Sequence, residues 1–319
     1  MGYINFTSNI ILLLLVFSCT KSNIIPDEYS AFLKNKTSVI STLKQVDTPA
    51  ELSSLATLGS TIYAVNSERQ NIAVFDIKSL SFEDNYLGIP NPSTLYATDD
   101  KLYVMNKIDD IIYQFDPESL MYSEAYSGVS PTTAFSTRGN MLYVSTSKTV
   151  EVLDLSEDKK FCQIYGIGSD ISTLAILGNK LYAGRTNNVI MLDTKTCTWE
   201  SNPISLNAKP TIMASGDTKL YVATDSNILN IINNSDNNLT TIDIKQNPQY
   251  LIVIDFILFA AQNNTISVID TRTDEIIGLL ELKEKITGII AGDKKLFVAT
   301  ENKKLEIFDL VKFLNFMKK

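Results

Sequence analysis

The sequence predicts an all-β fold, a seven-bladed β-propeller of four-stranded antiparallel blades. Three observations predict it. One phrase recurs seven times at a nearly constant period, the segments between its landmarks read as strands and turns, and each end of the chain carries a piece that only closure of a ring would use.

The phrase is a turn, an apolar–aromatic–apolar strand, a short polar loop, and a second apolar strand ending in Asp. Its aromatic positions are Tyr63, Tyr103, Tyr143, Tyr182, Tyr221, Phe259 and Phe297, separated by 40, 40, 39, 39, 38 and 38 residues. The second landmark, Asp76, Asp116, Asp154, Asp193, Asn233, Asp270 and Asp309, holds the same period with one substitution, Asn233. Self-similarity at about forty residues is the signature of propeller blades. The Asp landmark reads as turn chemistry, a carboxylate accepting from nearby backbone N–H groups.

Stretches such as KLYVMN, TVEVLDL and TISVIDT alternate or are rich in β-branched and aromatic residues, as strands are. Polar and glycine-bearing turns separate them. The sixth repeat divides into an inner strand at 249–254, a second at 257–261, a third at 266–270 and an outer one at 276–282.

Blades bury their faces only against neighbours, so the ring must close. The seventh repeat has no outer strand after Asp309. Leu310, Phe313, Leu314 and Met317 instead recur at helical spacing, with Asp309 as N-cap. The orphan strand 38–46 (SVISTLKQV) is expected to complete the last blade, which would leave no open edge at the junction of the chain's ends. This gives a domain plan of 1–18 as a signal peptide, 19–37 as a tether and 38–319 as the propeller.

The amino-terminal segment reads as an address. The apolar run 10–17 (IILLLLVF) has eight residues, against about twenty for a membrane-spanning helix, and suits a signal-peptide core. Val16-Phe17-Ser18-Cys19 resembles the lipobox of bacterial lipoproteins, which implies lipidation at Cys19. Phe17 and an n-region without Lys or Arg depart from the common pattern. The alternatives are a secretory peptide with an incidental cysteine and a buried apolar strand. Past Cys19, a tether would carry the protein on a membrane face, and Pro26, Tyr29, Phe32 and Leu33 are compatible with a short helix there. Cys162 and Cys197 would then share an oxidising compartment. They fall in neighbouring repeats, where a disulfide and two separate thiols are both open readings.

Composition narrows the chemistry. Histidine is absent, which removes Ser-His-Asp and Cys-His catalysis and His-ligated metals. There is no CxxC, hence no thiolate metal site. The net charge of −8, without a Lys/Arg-rich run, argues against a nucleic-acid partner. Gly166-Ile167-Gly168 starts like a dinucleotide fingerprint, but Ile stands at 171 and the segment joins two blades rather than opening a helix. The run 233–238 (NNSDNN) lacks the acidic spacing of a calcium loop.

The first two aromatic strands run Tyr63-Ala64-Val65-Asn66 and Tyr103-Val104-Met105-Asn106, and VIDTRTDE occupies 268–275. These resemble the YVTN-type β-propeller repeats of bacterial surface and periplasmic proteins, over about residues 48–310. The resemblance implies the fold and a binding or surface role, with diverse ligands. The Asn becomes Thr146, Arg185, Thr224, Gln262 and Thr300 in the other copies.

By analogy with propellers, the second-to-third-strand loops and the blade-joining loops ring one mouth of the channel. The candidate ligand contacts are therefore Asn66, Asn106, Thr146, Arg185, Thr224, Gln262 and Thr300. These loops carry nine cations and eight acids, so the mouth is less acidic than the chain and suits a neutral polar or anionic ligand. Arg185 stands out, because its planar fork fits a carboxylate or phosphate; a salt bridge to Asp170 or Asp225 is the plainer reading. Trp199 is the only tryptophan, whereas quinone-binding propellers carry one in most blades. No catalytic residue, metal or cofactor is assigned.

The expected function is a monomeric, non-catalytic, membrane-anchored binding module of the bacterial cell envelope, for a small molecule or a protein partner. Surface propeller lipoproteins of similar repeat type include vitamin-B12 capture proteins. Two alternatives are a scaffold subunit of an envelope assembly complex and a lactonase-like propeller hydrolase. The known assembly propeller has eight blades and glycine/tryptophan-rich repeats, which this chain lacks. For the hydrolase, Asp and Glu occur on the mouth loops, but no pair is distinctively spaced.

Overall fold

The computed structural model describes residues 40–317 except positions 67, 99, 107, 118, 120, 128–132, 147, 148, 158, 168–170, 201 and 246. The expected signal peptide, Cys19, the tether and the first two residues of the closing strand lie outside the described residues.

Seven separate antiparallel sheets form, each built from consecutive strands. In the first blade the order from the axis outward is Leu52–Leu58, Thr61–Asn66, Asn71–Asp76 and Ser81–Leu87. The sixth is Tyr250–Ile254, Ile257–Gln262, Thr265–Asp270 and Glu275–Glu281, within one residue of the sequence expectation at each boundary. In the seventh the fourth strand is the chain's own beginning. Ser41–Asp47 runs antiparallel to Lys304–Asp309, from Ser41 opposite Asp309 to Asp47 opposite Lys304. The ring is therefore closed by backbone hydrogen bonds between the two ends.

The buried apolar residues divide into seven clusters, and each lies between a different pair of neighbouring blades. Strand alternation explains this, because successive side chains point to opposite faces. In the second strand of blade two, Leu102 and Val104 join the cluster shared with blade one, while Tyr103 and Met105 join the cluster shared with blade three. The aromatic landmark of every repeat thus faces the following blade. Tyr63 meets Phe115 edge-on at 6.0 Å, and Phe297 meets Phe75 of blade one at 6.0 Å. Burying one such ring contributes on the order of 1.5–3 kcal/mol.

Polar links cross the same seams. The Tyr182 hydroxyl donates to Asn234 Oδ1 (3.0 Å), and Lys219 Nζ reaches Asp274 (2.7 Å) and the Thr271 carbonyl (2.9 Å). The Asp landmark does what its position predicts. All seven side chains accept a backbone N–H two or three residues on, at the turn between third and outer strands or, for Asp309, at the helix start.

Asp309 opens the helix Val311–Met317, whose Phe313 and Leu314 bury with Leu310, Phe308 and Ile40. Blade four departs from the pattern: its outer strand is split into Thr198–Trp199 and Ile204–Ser205. Pro203, which has no N–H to give the ladder, sits in the interruption. Cys162, on the outer strand of blade three, forms a disulfide with Cys197, in the turn before this split strand, at a Cα–Cα distance of 6.2 Å. Of the two readings left open by the sequence, the structure has the paired one.

Candidate functional site: the channel mouth

Inner strands of neighbouring blades pack side by side around the axis. Each begins at the end of the ring where the second-to-third-strand loops turn and ends at the opposite face. The mouth is therefore framed by those loops and by the connections that enter each inner strand.

The seven expected contact residues all lie at this end, where the second strands finish. Five of them are buried: Asn66, Asn106, Thr146, Thr224 and Thr300. Their polar atoms hold the adjoining loop. Asn66 Oδ1 accepts from Arg69 N (3.0 Å), and Asn106 Oδ1 accepts from Ile108 N (2.9 Å) and Asp109 N (3.1 Å). Thr146 Oγ1 bonds Thr149 Oγ1 (2.9 Å), Thr224 Oγ1 bonds Ser226 Oγ (2.8 Å), and the Thr300 hydroxyl donates to Asn302 Oδ1 (2.7 Å). Gln262 is half-buried opposite Thr265. Arg185 is half-buried too. Its Nε donates to Asn188 Oδ1 (2.9 Å), and its guanidinium lies 5.7 Å from the centre of the Trp199 ring. Asp225 accepts from the Lys209 backbone (2.9 Å), and Asp170 lies outside the described residues.

A third landmark, unnoticed in the sequence, sits closer to the axis. Near its start the inner strand of blades one, two, four, five and seven carries one extra residue, so that two residues oppose one on the second strand, a β-bulge. In blades three and six the residue just before the inner strand takes the same place, Thr133 N donating to the Ser145 carbonyl and Gln249 N to the Ala261 carbonyl. The residues at this position are Ser53, Ser93, Thr133, Ser172, Thr211, Gln249 and Thr287. Their spacings, 40, 40, 39, 39, 38 and 38, match those of the aromatic landmark. Six hydroxyl-bearing residues and one amide thus recur at the mouth end of the inner strands, a collar of uncharged polar positions.

The collar is partly engaged in holding the ring. Ser93 Oγ donates to the Met105 carbonyl (2.8 Å), and Ser172 Oγ donates to the Pro210 carbonyl of the next blade (2.6 Å). The Tyr250 hydroxyl donates to the Thr287 carbonyl (2.8 Å). Burial, and then the carboxylate of Glu51, raise the pKa of that hydroxyl, so it stays a neutral donor. Thr287 Oγ1 is buried without a partner. Of the seven collar residues, Thr211 and Gln249, in adjacent blades, are the exposed ones, and both are neutral; among the described residues, no group of three or more Asp, Glu and Cys gathers as a metal site.

Fold and mouth together define a seven-bladed β-propeller with a polar axial collar. The chain belongs to the family described as Domain of unknown function (DUF5074), whose model matches residues 83–252, from the outer strand of blade one to the inner strand of blade six. Among curated proteins none matches the chain.

Proposed function

We propose that this propeller is a non-catalytic binding module of an exported lipoprotein, taking a polar ligand at its mouth. The observation that carries the reading is the seven-fold collar of uncharged polar side chains, two of which, Thr211 and Gln249, are open to solvent. The lipobox-like sequence ending in Cys19 supports anchoring. The Cys162–Cys197 disulfide supports an oxidising compartment. The YVTN-like repeats agree with a surface or periplasmic role.

The test is capture. The purified propeller is incubated with the small polar fraction of growth medium, washed, and its bound contents read by mass spectrometry beside a Thr211→Val/Gln249→Leu variant. A compound retained by the wild type and lost by the variant supports the reading; retention of nothing, or equal retention by both, ends it.

A second reading, docking to an envelope protein, has one observation in its favour. Met121, Tyr122, Phe161 and Tyr165 are exposed on the outer strands of blades two and three or just beyond, and exposed apolar patches mark interaction surfaces. Crosslinking in intact cells separates the two, a single stable protein partner favouring docking.

A further inference from the structure

The register of the closing strand fixes where the preceding chain joins the ring. Ser41 pairs with Asp309, and Asp47 pairs with Lys304. Lys304 follows a second-to-third-strand loop, so Asp47 is at the mouth. Asp309 precedes the carboxy-terminal helix on the opposite face, with the turns that join inner to second strands and third to outer strands. Ile40 packs there against Phe308, Leu310, Phe313 and Leu314. The segment leading back to Cys19 therefore departs from the face opposite the collar.

We propose that the propeller is presented with this turn-bearing face toward the bilayer and the mouth facing away from it. The inference rests on the reading of Cys19 as the anchor. The 21 residues 20–40 reach at most about 75 Å when fully extended. A mouth-down pose would use about 23 Å of that reach in running back along the blade, so length alone permits both poses and the orientation rests on the face of entry. An anchor entering at the mouth would favour the opposite pose. Entering where it does, it leaves the collar open to solutes and to partners outside the membrane.

The test uses the full-length lipidated protein in liposomes that carry an energy acceptor on their headgroups. Cys162 and Cys197 are paired and Cys19 would be acylated, so one introduced cysteine can be labelled alone. Ser79→Cys and Ser235→Cys place a donor fluorophore on exposed turns of the far face, in blades one and five. Asn227→Cys places it on an exposed mouth loop of blade five. Residues 227 and 235 flank one strand, a height difference of about 20 Å. Energy transfer is expected to be stronger from positions 79 and 235 than from 227. Equal transfer, or stronger transfer from 227, overturns the orientation. Flotation with the vesicles is measured first, with Cys19→Ser as the control. Wild-type protein that does not float overturns the anchor and the orientation with it, whereas floating protein with the wrong transfer order overturns the orientation alone.

Discussion

A Cβ on Gly288 would overlap the carbonyl oxygen of Ser53 and the side chain of Leu55, across the seam where the seventh blade meets the first. The inner strands of the last and first blades approach so closely there that only glycine fits. Gly288→Ala is expected to destabilise the ring by about 1–3 kcal/mol, the usual cost of overpacking. For a chain of this size Tm falls by about 2–4 °C per kcal/mol. Gly88, with open space around it and an ordinary backbone conformation, is the control: Gly88→Ala should stay within about 0.5 kcal/mol of wild type. Equal melting of the two variants would contradict the close approach.

The closing strand makes a sharper prediction by truncation. A chain of residues 38–319 keeps the strand Ser41–Asp47 and should fold as a monomer. A chain of residues 48–319 leaves Lys304–Asp309 as an open edge, which invites pairing with other molecules. Size-exclusion chromatography should show the first as one species and the second as aggregate.

The Cys162–Cys197 bridge ties the outer strand of blade three to the turn before the outer strand of blade four, across 35 residues of sequence. Reduction, or Cys197→Ser, should cost about 2–4 kcal/mol, as expected for a native disulfide. Denaturant unfolding with and without reductant measures this. No change would mean that the two blades are held by their shared apolar cluster alone.

Alkaline pH should open the ring through its tyrosines. Burial pushes the hydroxyls of Tyr103, Tyr126 and Tyr182 up to about 12, whereas an unfolded tyrosine titrates near about 10. A pKa raised in the folded state gives stability that is full below about pH 10 and lost progressively as pH climbs toward 12. Tyrosinate absorbance should lag behind that of a denatured sample through this window and then rise together with unfolding. A titration that overlays the denatured curve would refute the burial.

Arg185→Ala removes a cation beside the sole tryptophan and a hydrogen bond to Asn188. The stability change should be small, about 0.5–1 kcal/mol for a partly exposed cation–π contact. The emission of Trp199 should shift. An unchanged spectrum would mean that the guanidinium does not sit over the indole in solution.

The fold was legible because the landmark that sets the period also forms the seams. Each Tyr or Phe of the second strand faces the next blade, so its spacing reports the blade repeat directly. The same alternation explains why the expected mouth contacts are mostly buried. Asn66, three residues after Tyr63, falls on the opposite face and packs toward the preceding blade. The collar was hidden because Ser, Thr and Gln near a turn look like any loop, and a bulge exists only in the register between two strands. The disulfide depended on how the outer strands of neighbouring blades lie side by side, and the split outer strand of blade four depended on where Pro203 meets the ladder.

The two strands that lock the ring are nearly the whole domain apart in synthesis, with Gln45 bonded to Glu306 across 261 residues. The first strand made must wait, unpartnered, until the final repeat is complete. Until then the chain holds six complete blades and one waiting strand, and this open intermediate, rather than the finished ring, is the species most exposed to aggregation and proteolysis.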